Sequence, residues 1–324
     1  MTTRGRTALT SHGTHADAFS LFDWTMLGGI ALIWGSSFVF MAIGLDAFEP
    51  GVVTLARLVL GAGALALVPA ARRPIDRLDR ARVAALGIIW MAIPLSLFPI
   101  AQQWIDSSVA GMINGAVPIT AALWATLLMR RLPPRRQLIG IAIGFVGMVA
   151  IFLPELSDSS ATALGTALIV VAVILYGLSN NMAVPLQQRY GAAPVLLRAQ
   201  LVAMVVVAPI GLFELRHSSW AWDSALAMMP LGILGTGLAL VLMTNLVGRV
   251  GSTRGSVAIY FVPVVAIILG VIVRDEKIHG IALVGMALVL AGAWVTSRRE
   301  SRERSAVSGQ PDVVLGQSVP EASG

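Results

Sequence analysis

Apolar residues in this chain come in long, nearly unbroken runs separated by short polar stretches, without the strict alternation that marks a half-buried strand. A helix needs roughly 20 apolar residues to cross a hydrocarbon core about 30 Å thick. Ten stretches meet that need, at about 24–45, 50–71, 83–103, 107–129, 137–153, 163–187, 192–213, 224–247, 253–273 and 279–296. Apart from Arg254 at the very start of the ninth, only Arg57 and Arg198 place a charge inside one of them. The pattern predicts an all-α polytopic membrane protein with ten transmembrane helices. The first 22 residues are polar and the first apolar run has no small-residue cleavage pattern, so residues 1–22 are expected to be a retained cytoplasmic tail. Residues 297–324, rich in Ser, Glu, Gly and Arg, bury too little apolar surface to order themselves and are expected to form a disordered tail.

Composition sharpens this picture. The chain is 56% hydrophobic and 12% charged, about half the charged share of a soluble domain. Its net charge of +6 sits in short basic runs flanking apolar stretches, so the lipid bilayer, not nucleic acid, is the expected partner. The absence of cysteine excludes a disulfide framework and a thiolate nucleophile. His12, His15, His217 and His279 lie outside the spans or at their edges, so no intramembrane metal site or proton relay is expected. No H-E-x-x-H, G-x-S-x-G or phosphate loop occurs, and neither an enzyme nor a cofactor is predicted.

Lys and Arg in short loops are retained on the cytoplasmic side. With ten spans both termini share one side. That side would hold eighteen of the 23 basic residues, while the other holds only Arg216, Arg274 and Lys277. Cytoplasmic termini are predicted.

Residues 86–147 align without a gap on 231–292 at an offset of 145. Leu86-Gly87-Ile88 meets Leu231-Gly232-Ile233, Val117-Pro118 meets Val262-Pro263, and Gly140 and Gly147 meet Gly285 and Gly292. The chain therefore divides into two five-helix repeats, 23–154 and 155–296. Five is odd, so the second repeat must enter the membrane from the opposite side. The loop RRLPPRR after the fourth span is basic, whereas its counterpart RDEK after the ninth is neutral, as inversion requires. Inverted repeats are the signature of transporters that alternate access around a midplane site.

The sequence resembles the ten-helix EamA-type transporters of the drug/metabolite transporter superfamily. The resemblance is carried by IWGSSFVF (33–40), by Arg57, by SSVAGMINGAVPITAALWATLLM running into Arg130-Arg131, and by STRGSVAIYFVPVVAIILGVIVRDE in the ninth span. It covers residues 24–296 and implies a central cavity walled by helices one, three, four, six, eight and nine. One departure stands out: the family commonly has Glu at the end of helix four, where this chain has Arg131, while Glu276 keeps it at the end of helix nine.

Interrupted helices at corresponding places point to a transport site. Pro118 and Pro263 are the candidate helix breaks, since neither can donate to the carbonyl four residues before it. Asn114 lies about 10 Å into the bilayer at 1.5 Å per residue, and Tyr260 is its candidate counterpart. Arg57 sits some seven residues inside its span with no intramembrane acid to neutralise it. It can bind a substrate carboxylate or phosphate through two parallel hydrogen bonds. Alternatively it snorkels, or bonds helix-end carbonyls or an external acid such as Asp46, Glu49 or Asp106. Trp34, Phe38, Trp90, Tyr176 and Asn180, with Asn245 nearer the cytoplasm, are further candidates to line a cavity, against the plainer reading that aromatic residues in bundles pack. Arg198 reads as an interface anchor.

The expected function is a secondary transporter exporting small polar metabolites, amino acids or related compounds, across the cytoplasmic membrane; direction and coupling are what the resemblance implies. A proton-coupled exporter of lipophilic cations would need a membrane carboxylate, which no span has. Lipid-linked or nucleotide-linked sugars are the alternative cargo, and a membrane scaffold a more distant one. Ten helices in one chain can enclose a cavity alone, so a monomer is expected.

Overall fold

A computed structural model describes residues 20–129, 135–158, 160–250 and 257–297. Most of both tails, together with Arg131 and its basic loop, therefore lies outside the described residues, and so does Arg254. The described residues are helical and contain no strand. Six helices are long and apolar enough to cross a membrane: Leu21–Leu45, Arg77–Ala101, Ser107–Leu128, Ser160–Tyr190, Ala192–Glu214 and Trp222–Met243. Shorter apolar helices are Pro50–Ala66, Leu138–Ile151, Ala258–Arg274 and Gly280–Val295. The fold is that of an all-helical polytopic membrane protein.

Helical runs are numbered here in chain order, counting an interrupted run once. α1 (Leu21–Leu45) starts in a capping box: Asp23 N donates to Ser20 Oγ at 3.2 Å, and Ser20 N donates back to Asp23 Oδ2 at 3.0 Å. The helix thus begins just inside the tail that the sequence suggested. α2 (Pro50–Ala66) starts on a proline, whose missing N–H costs nothing in a first turn. It ends sooner than the apolar run, because Pro69 drives Val68 to extended backbone (φ −81°, ψ 114°). α3 is Arg80–Leu86, a π-helical Gly87–Ala92 and Ile93–Ala101. α4 is broken into Ser107–Asn114 and Val117–Met129. α5 (Arg135–Asp158), α6 (Ser160–Tyr190) and α7 (Ala192–Glu214) follow. α8 is Trp222–Met229, a π-helical Pro230–Leu238 and Ala239–Val250. α9 (Val257–Arg274) and α10 (Gly280–Ser297) complete the bundle.

The packing has a pattern. α1 packs on α8 and α9, as α6 packs on α3 and α4. α2 packs on α7 and α8, as α7 packs on α2 and α3, and α5 packs on α10. Exchanging each of the first five helices with its counterpart five places on carries every one of these pairs into another of them or, for α2–α7 and α5–α10, onto itself. The same holds residue by residue. A methyl group on Gly35 would overlap Val265 on α9, 2.5 Å from its Cβ, and one on Gly177 would lie 2.6 Å from the carbonyl carbon of Thr120 on α4, which the offset of 145 pairs with Val265.

Between α5 and α10 glycines let backbone meet backbone. A Cβ on Gly147 would lie 2.6 Å from Gly285 O, and one on Gly292 would lie 2.5 Å from Gly140 O. Small residues permit such approach where lipid supplies no hydrophobic drive between helices. Since 147 meets 285 while 140 meets 292, the two helices run antiparallel.

Candidate functional site

A cavity of about 190 Å³ lies between these helices. Trp34, Phe38 and Met41 of α1 line it, with Arg57 of α2, Trp90, Leu95 and Phe98 of α3, and Asn114 of α4. The other side is formed by Tyr176 and Asn180 of α6, Gly235, Thr236 and Leu240 of α8, and Ile259 and Val262 of α9. Seven of the eight side chains singled out above as substrate-binding candidates thus face one space. Tyr260 does not. It lies on the α10 side of its helix, where its hydroxyl donates to Ala293 O at 2.9 Å; its neighbours Ile259 and Val262 line the cavity instead. Asn245 is exposed and donates to Val241 O within its own helix.

The prolines act differently from each other. Before Pro118 the helix does break. Gly115 N and Ala116 N turn back to Met112 O and Ile113 O, at 3.1 and 3.0 Å, and the Asn114 side chain is left at the break. Pro263 sits inside an uninterrupted α9, so it is not a break, and a Cβ on Gly115 would be 2.8 Å from its ring. Helix propagation on both sides of Pro263 keeps the rest of the ladder in register.

The interruptions that the sequence did not disclose are the two π segments, in α3 and α8. At an offset of 145, 87–92 corresponds to 232–237, so they occupy equivalent places. Such bulges are common at functional sites because they leave carbonyls without helical partners. Here Gly235 O accepts from Trp34 Nε1 at 3.1 Å, and Thr236 O accepts from Gln200 Nε2 at 2.8 Å. The signals available were Pro230 and Pro94, which remove donors, and the small residues Gly232, Gly235 and Gly237.

Arg57 is 7% exposed. Its Nε donates to Thr236 Oγ1 at 3.2 Å, and that hydroxyl donates to Leu231 O. Neither terminal nitrogen has a hydrogen-bond partner among the described residues, and no described carboxylate pairs with it. Of the three external acids considered as its partner, Asp46 is held by Arg274 at 2.6 and 3.0 Å. Arg57 is the one charged side chain on the cavity wall among the described residues. Arg198, by contrast, is an anchor: it donates to Ala71 O, Arg72 O and Pro194 O, tying α7 to the segment after α2.

Exposure of the wall is graded. Near mid-height, on the side facing the ends where α1 and α3 begin and α6 and α8 finish, Trp34, Trp90, Asn180 and Leu240 are partly exposed. Toward the opposite ends Met41 and Phe98 are buried. Phe98 stacks on Tyr176 with ring centres 5.8 Å apart and tilts against Phe38 at 5.7 Å. Beyond these rings lie polar clasps. Glu276 Oε1 accepts from Ser107 N and Oγ at 2.9 and 2.6 Å, and its Oε2 accepts from Ser108 N at 2.9 Å. This carboxylate caps the first turn of α4. Asp275, left-handed at φ 53°, turns the chain so that Glu276 can reach. Glu214 likewise accepts from Gly51 N at 2.6 Å in the first turn of α2. Neither role could be read from the sequence, because each acid caps a helix more than 160 residues away.

A cavity at the meeting of interrupted apolar helices, with one cation and a few neutral dipoles in its described wall, is the kind of site that a membrane carrier presents. The chain matches the EamA-like transporter family twice, over residues 24–153 and 163–298. It belongs to that family. It is 22% identical to an uncharacterized transporter of Archaeoglobus fulgidus, over 85% of this chain and 99% of that one. It is 25% identical to a probable terminal-alkyne amino-acid exporter of Streptantibioticus cattleyicolor, over 85% of this chain and 93% of that one. A crystal structure aligns with a TM-score of 0.60 at 17% identity, covering 85% of this chain and 97% of that one, a likeness of fold.

Proposed function

We propose that the protein is a ten-helix transporter of the cytoplasmic membrane, built from two inverted five-helix repeats (23–154 and 155–296) with cytoplasmic termini. It exports small polar metabolites, amino acids or related compounds, by alternating access. The observation that carries this reading is Arg57: a buried arginine in the wall of a cavity formed by both halves of the chain, with no carboxylate partner among the described residues. Such a charge is expensive in a membrane and marks a functional group by default. Inversion is supported by α5 and α10. Equivalent helices that pack antiparallel, with contact 147–285 exchanged for 292–140, are related by a two-fold axis lying across them, which is an axis in the membrane plane.

With basic loops inside, the graded exposure makes this conformer open toward the cytoplasm and closed outside by the aromatic rings and the Glu276 clasp. Cargo enters from the cytoplasm beside Asn180 and Leu240 and reaches Arg57. Release requires the outer ends of α4 and α9 to part. A single cation on the wall among the described residues disfavours nucleotide-linked sugars, whose phosphates would call for more. One chain supplies the whole cavity, so a monomer suffices. The test is export from cells overproducing the protein, followed by metabolite profiling of the medium. One or more carboxylate-bearing metabolites accumulate outside with the parent protein and not with Arg57→Gln at equal membrane abundance. Equal export by both proteins removes Arg57 from the mechanism.

A further inference from the structure

We propose that the preferred cargo is a small monocarboxylate with an apolar body and no cationic amine, an N-acylated amino acid being the representative, held as a neutral pair with Arg57. The inference rests on the transporter reading and deepens it. Its basis is the charge inventory of the cavity. Arg57 contributes one positive charge, and the wall contains no carboxylate among the described residues. Three acids near the outer ends are engaged elsewhere: Asp46 with Arg274, Glu276 on α4 and Glu214 on α2. A monoanion therefore makes the loaded site neutral. A zwitterion leaves it with a net positive charge and brings an ammonium close to a guanidinium in surroundings where charges are screened weakly.

The remaining dipoles agree. Two carbonyls in the π segment of α8, those of Gly235 and Thr236, already accept from Trp34 and Gln200, which leaves them weaker partners for an ammonium. Asn114, Asn180 and Tyr176 face the cavity with no side-chain hydrogen bond to described residues. Carboxamides and a phenol suit the N–H and C=O of an amide. Apart from the hydroxyls of Ser37 and Thr236, which donate to Ile33 O and Leu231 O, the rest of the wall is apolar, with Trp34, Phe38, Trp90, Phe98, Met41 and Leu95. The space, about 190 Å³, lies below the range of about 300–1,000 Å³ typical of drug-sized ligands, which fits a single-ring or short-chain body.

The experiment uses the purified full-length protein, with N-acetyl-L-phenylalanine, L-phenylalanine and L-phenylalaninamide as probes. Affinity is read from tryptophan fluorescence in detergent and uptake from proteoliposomes. The N-acetyl compound is expected to bind at least tenfold more tightly than the free amino acid, and the cationic amide more weakly still. Arg57→Gln removes the preference. Asn114→Asp, which supplies the missing anion while keeping Arg57, shifts it at least tenfold toward the free amino acid. Equal or tighter binding of L-phenylalanine by the parent protein overturns the proposal, as does an unchanged preference in Asn114→Asp or no binding of any probe. Selective binding without uptake leaves the charge assignment standing and removes the transporter reading.

Discussion

Replacing Glu276 by Ala tests the outer closure most directly. Its carboxylate accepts three hydrogen bonds, from Ser107 N, Ser107 Oγ and Ser108 N, at 2.9, 2.6 and 2.9 Å. Bonds to a charged acceptor are worth about 1.5–3 kcal/mol each when buried, but Glu276 is partly exposed and water replaces it in the variant. Loss of a helix N-cap, about 0.5–2 kcal/mol, is the closer guide. The contact joins α4 to the end of α9, so on the proposed orientation its loss weakens the outward-closed arrangement. A change of 1–2 kcal/mol shifts a two-state population by a factor of about 5–30. The chain has no cysteine, so a single Met41→Cys reports without background. Met41 is 2% exposed at the closed end of the cavity. In right-side-out vesicles, a membrane-impermeant maleimide is expected to label Cys at this position about 5–30 times faster when Glu276 is also Ala. Labelling at an unchanged rate refutes the clasp.

Three further outcomes are expected. Alkaline phosphatase fused after residue 275 gives periplasmic activity and after residue 133 none; equal signals refute the inversion. Gly147→Val, whose Cβ would lie 2.6 Å from Gly285 O, lowers the melting temperature of the purified protein by several degrees, from an overpacking cost of about 1–3 kcal/mol. Gly63→Ala, with open space around it, does not lower it; an equal fall in both contradicts the tight α5–α10 contact. Asn114→Leu abolishes export, whereas Tyr260→Phe retains it and costs about 1 kcal/mol of stability from the lost bond to Ala293. Export lost in Tyr260→Phe returns that residue to the site.

The apolar runs located the helices because in lipid the length of an uncharged stretch is itself the constraint. Direction around each helix is harder to read. Ile259, Tyr260 and Val262 lie within one turn, and a helix that is apolar all round has no polar face to say which of them turns inward. Arg57 stood out because a lone charge in a span is rare, whatever its neighbours. The π segments were not legible, since Gly and Pro serve equally as kinks, close-contact points and bulges. Pro118 and Pro263 show the difficulty: matched in sequence, one follows a break and the other rides inside an intact helix. The outer acids were invisible as caps because Glu276 and Glu214 find their partners only after the bundle assembles.

The glycine-on-glycine contact of α5 and α10 has a mechanical corollary. On the proposed alternating-access reading, few side chains stand between the two backbones here, so the halves would swivel along this line with little repacking and it would serve as an axle shared by both end states. A compound wedged into it would stall movement in both directions equally, whereas one lodged beside Arg57 would favour a single orientation.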